Sequence, residues 1–125
     1  MNTVDDADAA WTAQLGPALT EADVARLLGR EPGDVAEAPE LLRLLQRETG
    51  EPVYPVFQFD TDGQVPGVAE VVTALTPVLL PLSIASWLTG HNRELDGGRP
   101  IDVLRAGDAD RVLGLARQLG ADAAG

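Results

Sequence analysis

Few residues in this chain have the chemistry of a catalytic centre. Its 125 residues include one histidine, His91, and two serines, Ser83 and Ser86, and there is no cysteine. A hydrolytic triad needs a nucleophile, a base and an orienting acid. Ser83 and Ser86 fall in an apolar stretch just before His91, where serine hydroxyls bond back to their own helix and a histidine at the helix C-terminus has its charged form favoured by the dipole. The lack of cysteine removes disulfides, thiolate zinc sites and cysteine nucleophiles together. Asp60-Thr61-Asp62-Gly63 begins like a calcium loop, but the fifth, sixth and twelfth places hold Gln64, Val65 and Val71, so a tight turn is expected. Gly97-Gly98 is too short to cradle a phosphate. The residues therefore predict a protein that is not an enzyme, with no catalytic residues, no metal site and no cofactor.

What remains is binding chemistry. Twenty acidic residues face nine basic ones, all arginine, for a formal charge of −11. That balance favours a basic or neutral partner over nucleic acid or an anionic membrane. Residues 1–60 hold twelve of the acids and four arginines, a balance of −8. The N-terminus, with Asp5, Asp6 and Asp8, lacks the positive and apolar regions of a secretory signal, which points to the cytoplasm. Val71 to Gly90 carries no charge over a length that could cross a bilayer, but Pro77 and Pro81 would interrupt the helix and five Ser or Thr side chains dilute it. Two short buried helices account for the same letters, and no membrane partner is expected.

The elements that must position any binding group follow from spacing. Residues 1–19 form an acidic lead, with Trp11 and Leu15 four apart and Gly16-Pro17 closing a short amphipathic helix. Residues 20–66 form a helix-turn-helix-like region with a short strand. Thr20 and Asp23 make a capping box, and Ala25, Gly29 and Val35 occupy the small, turn and anchor positions of a helix-turn-helix. The second helix, however, carries Asp34, Glu37 and Glu40 and no basic residue where a phosphate-lined groove would lie. Arg26 and Arg30 are the candidates for DNA contact, beside Arg43 and Arg47, and the surrounding acids count against that use. Pro39 restarts a buried helix through Leu41, Leu42, Leu44 and Leu45, ended by Gly50. Val53 to Phe59 reads as one strand, placed at a sheet edge by Pro55.

Residues 67–120 complete a mainly α-helical fold. Val68, Val71, Val72 and Leu75 share a helix face, as do Ile84, Trp87 and Leu88. Pro100 begins a helix that buries Ile101 and Leu104 and ends at Gly107. Asp108 opens the last, whose inward residues are Val112, Leu115, Ala116 and Leu119, and Gly120 terminates it. Residues 121–125 form a frayed tail.

The order Trp87-Leu88, Asn92, Leu95, Gly97, Pro100, Asp102, Leu104, Gly107-Asp108, Val112 resembles the toxin-binding domain of the Xre/MbcA/ParS antitoxins. Upstream, Tyr54-Pro55-Val56-Phe57-Gln58-Phe59 and the Asp60 to Gly63 turn are similar to the aromatic-proline-x-x-Q-F element of the same family. The resemblance implies an antitoxin of a type II toxin–antitoxin system that binds a RES-domain toxin, an NAD-consuming enzyme, and occludes its cleft. It implies toxin-binding residues among Trp87, Asn92, Arg93, Leu95, Arg99, Pro100, Arg105, Arg111 and Arg117, for which core packing or a solvated helix face is the plainer alternative. Many relatives also repress their operon through the helix-turn-helix, a role that Asp34, Glu37 and Glu40 oppose, leaving that half for dimerisation or for support of the other. The rival readings are a helix-turn-helix transcriptional regulator and an orphan interaction domain that kept the fold.

Overall fold

The computed structural model describes residues 16–46 and 48–124. The expected helix around Trp11 and Leu15, and any contact by Arg47, lie outside the described residues. The order is β1 (Ala18–Leu19), α1 (Glu21–Leu28), α2 (Pro32–Ala36), β2 (Leu44–Leu45), β3 (Pro52–Pro55), a 3₁₀ turn (Val56–Gln58), β4 (Phe59–Asp60) and β5 (Gly63–Gln64). There follow α3 (Val68–Leu75), α4 (Pro81–Thr89), a second 3₁₀ turn (Arg93–Leu95), α5 (Pro100–Arg105) and α6 (Ala109–Ala124). The fold is mainly α, with two small antiparallel sheets ordered β1-β3-β2 and β4-β5.

Helix α1 starts where its sequence demands. The Thr20 hydroxyl accepts from the Asp23 amide at 3.2 Å and the Asp23 carboxylate accepts from the Thr20 amide at 3.3 Å, which satisfies two donors that a helix start leaves open. Gly29 ends it at φ 66°, a left-handed conformation that costs glycine little, and turns the chain into α2. Val35 of α2 packs against Val24 and Ala25 of α1, with Leu41, Tyr54 and Phe59 completing a small core. Helix α2 has five residues, fewer than two turns.

Expectations for two apolar runs are overturned. The leucines after Pro39 do not continue a helix. Leu41 and Leu42 are buried in non-helical chain, and Leu44 and Leu45 pair with Val53 and Pro52 in a hairpin. The hairpin closes through Gln46 and Gly50, the latter at φ 72°. An apolar run without a clear period suits a strand as well as a helix, and the partners available to the backbone decide between them. The second correction concerns Val53 to Phe59, which is not one edge strand. Strand β3 stops at Pro55 and lies in the middle of its sheet. Its prolines are tolerated because β2 pairs only with Pro52 and Val53, while β1 pairs only with Tyr54 and Pro55, so each half has one neighbour. The chain then coils through Val56–Gln58 before Asp60 turns it into β5, the Asp60 carboxylate accepting from the Asp62 amide at 2.7 Å.

The larger core is C-terminal. Val68, Val71, Val72 and Leu75 of α3 meet Ile84, Ala85 and Leu88 of α4, Ile101 and Leu104 of α5, and Val112 and Ala116 of α6, with Leu42 and Val65 joining from upstream. Helices α3 and α4 divide the uncharged stretch, and among the described residues no helix is long and apolar enough to cross a membrane. Gly120 does not terminate α6, which runs on to Ala124 through the expected tail. A side chain at Gly120 would begin 3.1 Å from the Ala74 carbonyl oxygen, so this glycine permits the close crossing of α3 and α6.

The two cores are joined by a buried amide. The Gln58 side chain is fully buried, accepts from the Leu42 amide at 2.9 Å and donates to the Leu42 carbonyl at 2.8 Å. It thereby acts on Leu42 as a neighbouring strand would. Gln64 extends the link by donating to the Glu40 carbonyl at 2.9 Å. Replacing Gln58 by Leu strands two buried backbone groups, so urea unfolding should show a loss of about 2–4 kcal/mol. Replacement of the exposed Gln46 by Leu should leave the midpoint nearly unchanged.

Candidate interaction surface

The C-terminal pattern converges on the crossing between α4 and α5. Leu88 is buried in the core and Trp87 is half-buried against it. After α4 the chain folds into a tight loop held by its own backbone: the Asn92 amide donates to the Gly98 carbonyl at 3.0 Å, and the Leu95 and Gly97 amides both donate to the Asn92 carbonyl at 3.0 Å. The Asn92 side chain caps the 3₁₀ turn by accepting from the Glu94 amide at 2.9 Å. Asp96, at φ 58°, and Gly97, at φ 83°, reverse the chain through two left-handed residues. Leu95 points into the core and Pro100 is buried at the first position of α5.

His91 belongs to this loop. Its Nδ1 lies 2.8 Å from the Gly97 carbonyl oxygen, and since a carbonyl only accepts, Nδ1 carries the proton. Neither serine hydroxyl is placed by a hydrogen bond to His91, and among the described residues no three His, Asp or Glu side chains converge as metal ligands.

The arginines divide by what they touch. Arg99 forms a fork on Asp102 at 2.7 and 3.0 Å. This bond, more than the charges of Arg99, Arg105 and His91 around it, holds the Asp102 carboxyl below the usual aspartate range, and raises Arg99 in turn. Arg105 donates to the Phe57 carbonyl at 2.7 Å, tying α5 to the segment that carries Gln58. Arg111 reaches from α6 to the Glu94 carbonyl at 3.0 Å and the Asp96 carboxylate at 3.1 Å, clamping the 3₁₀ turn. Arg93 and Arg117 are exposed, and their side chains make no hydrogen bond or ion pair among the described residues. Arg117 stands with Glu70, Thr73, Ala69 and Ala74 in a shallow cleft between α3 and α6. The nine candidates thus differ in what they touch. Leu95 and Pro100 serve the core, Asn92, Arg99, Arg105 and Arg111 serve the chain's own structure, and Trp87, Arg93 and Arg117 remain at the surface.

In the N-terminal half, Arg26 pairs with Asp23, and Arg30 pairs with Glu40 at 3.1 Å. Both cations are thus partly neutralised by their own chain. The exposed charged residues of the 31–37 stretch that holds α2 are Glu31, Asp34 and Glu37, all acidic. Sequence reading named Gln58 only as the glutamine of the aromatic-proline-x-x-Q-F element and gave it no structural role, and it missed a groove beside the 93–95 turn, because Glu94 and α6 are brought together by folding alone.

No protein-family model matches this chain, and no curated protein matches it. Two solved structures are similar. The solution structure of Rv2175c is 26% identical, covers 83% of this chain and 81% of its own, and has a TM-score of 0.67. The MbcT–MbcA toxin–antitoxin complex of M. tuberculosis is 24% identical, covers 98% of this chain and 97% of its own, and has a TM-score of 0.44. The likeness of fold rests on the first.

The Asp102 fork has a pH signature. Because the folded-state pKa is depressed, its small stabilising effect is present above the ordinary carboxylate range of about 4 and is lost as pH falls through the folded value. Arg99→Ala should move the Asp102 carboxyl titration, followed by carbon NMR, upward toward that range. A midpoint unmoved by the substitution would show that the fork does not form in solution.

Proposed function

We propose that this chain is the antitoxin of a type II toxin–antitoxin pair, and that it acts by binding a RES-domain, NAD-consuming toxin and occluding its cleft. The observation that carries this reading is the placement of the antitoxin-like pattern. Its residues, separated along the sequence, gather in one structural unit: Leu88, Leu95, Pro100, Leu104 and Val112 are buried, Asn92 caps the loop, and Asp102 orients Arg99. The upstream element of the same resemblance is tied to this unit through Arg105 and Phe57, and through Gln58 and Leu42. The chain thus presents a preformed surface on a packed scaffold, which suits an inhibitor whose work is steric.

Under this reading the chain is not itself an enzyme, needs no cofactor, and acts in the cytoplasm with its toxin. The −11 charge supports the same partner, since a cleft that accepts an anionic dinucleotide presents positive potential to an acidic protein. DNA reading by α2 is disfavoured by its shortness and by Glu31, Asp34 and Glu37.

The decisive experiment is NAD loss by a purified RES-domain protein encoded beside this chain, titrated with the chain. Loss should stop at a fixed molar ratio; continued consumption with the chain in excess would end the inhibitor reading for that pair. In parallel, fluorescence anisotropy with operator DNA from upstream of the pair should show no binding at about 50 mM salt, where phosphate contacts are strong. Tight, salt-sensitive binding there would instead favour the transcriptional regulator.

A further inference from the structure

The 93–95 turn and the second half of α6 enclose a surface groove lined by Glu94, Leu115, Gln118, Leu119 and Asp122. Leu115 and Leu119 are half-buried, pack against the core and line the groove, so they form its apolar floor. Glu94 and Asp122 are exposed, and neither carboxylate makes an ion pair or hydrogen bond among the described residues. This contrasts with Asp96 next door, whose carboxylate is occupied by Arg111, and with Asp102, occupied by Arg99. The groove wall is also fixed, because Arg111 holds the Glu94 backbone and Asn92 caps the turn.

An apolar floor between two uncompensated carboxylates fits an apolar side chain flanked by basic ones. A groove of this kind repels a second copy of so acidic a chain and gains from a cationic one. A cleft built for an anionic dinucleotide has arginine or lysine at its rim. We infer that the groove between the 93–95 turn and α6 is where this chain seats the basic rim of its partner's nucleotide cleft, with Glu94 and Asp122 standing where substrate charge would stand. The inference rests on the antitoxin reading above and changes its chemistry. Arg99, Arg105 and Arg111 hold the inhibitor's own shape, and the Glu94 and Asp122 carboxylates meet the cleft.

The test compares two doubly reversed chains with the same change in net charge. Glu94→Arg with Asp122→Arg alters the groove, and Asp34→Arg with Glu37→Arg alters the distant α2 surface. Binding to the purified RES-domain protein is measured by calorimetry, alongside thermal melting of each chain and sedimentation of each chain alone. The groove pair should weaken binding at least about tenfold, and the α2 pair less than about threefold, with melting unchanged in both. Gln118→Trp, which fills the groove without altering charge, should weaken binding similarly. Equal losses from both charge reversals would overturn the groove and leave only long-range steering. So would a change in self-association by the groove pair with toxin binding intact. If the unmodified chain fails to bind, the antitoxin reading itself falls, an outcome distinct from binding that ignores the groove.

Discussion

The structure depends on one buried amide. Leu41 and Leu42 face different cores, Leu41 toward Val24, Val35 and Tyr54 and Leu42 toward Val68, Leu75 and Ile84, so the chain between the two halves must stay non-helical and dry. A buried extended backbone without a partner is costly, because its amide and carbonyl lose water and gain nothing. Gln58 supplies both a donor and an acceptor in the spacing that a neighbouring strand would offer. No shorter amide reaches so far and no carboxylate can donate. This explains why a glutamine stands between the two phenylalanines of an otherwise apolar stretch. Among the described residues no buried side-chain nitrogen or oxygen is left without a partner, so the amide closes the ledger of polar groups at the joint.

Much of the helical half was legible because local rules and packing agree there. The capping box at Thr20, the left-handed stop at Gly29, and the faces of α3, α4 and α5 are all set by interactions a few residues long. The failures share a different cause. Leu41 to Leu45 and Val53 to Phe59 are apolar runs whose conformation depends on partners far along the chain: Gln58 for Leu42, Val53 for Leu44, and Ala18 for Pro55. Periodicity carries no information about such pairings. Gly120 failed in the opposite direction. A glycine near a helix end usually marks the stop, yet here it lets the Ala74 carbonyl approach, and the helix continues.

The interaction surface was half legible for the same reason. The sequence order locates the loop between α4 and α5, but spacing cannot say which arginines are engaged at home. Arg99, Arg105 and Arg111 each bond to an oxygen of their own chain, across separations of 3 to 48 residues. An arginine so engaged must lose its bonds to enter a partner. Breaking the Arg111 clamp would also release the Glu94 wall. What Arg111 sets is therefore the geometry of its neighbours, which a list of cationic residues does not reveal.

Charge completes the argument. The acids around α2 and the paired states of Arg26 and Arg30 make the N-terminal half a poor surface for phosphate, while Leu42, held by Gln58, and the Arg105–Phe57 bond tie it to the C-terminal unit. The N-terminal half contributes in two other ways. The chain that follows α2 supplies Leu41 and Leu42 to the joint, and under the proposed function the acids add negative potential toward a cationic cleft. Long-range potential governs approach and does not choose a register, since it is screened beyond about 8–10 Å at ordinary salt. Register must come from a rigid local feature, and the clamped turn beside Leu115 and Leu119 is a fixed wall next to an open apolar floor. Under the proposed function the acidic half would govern approach and the groove seating, and the buried amide at Gln58 makes the two parts one body.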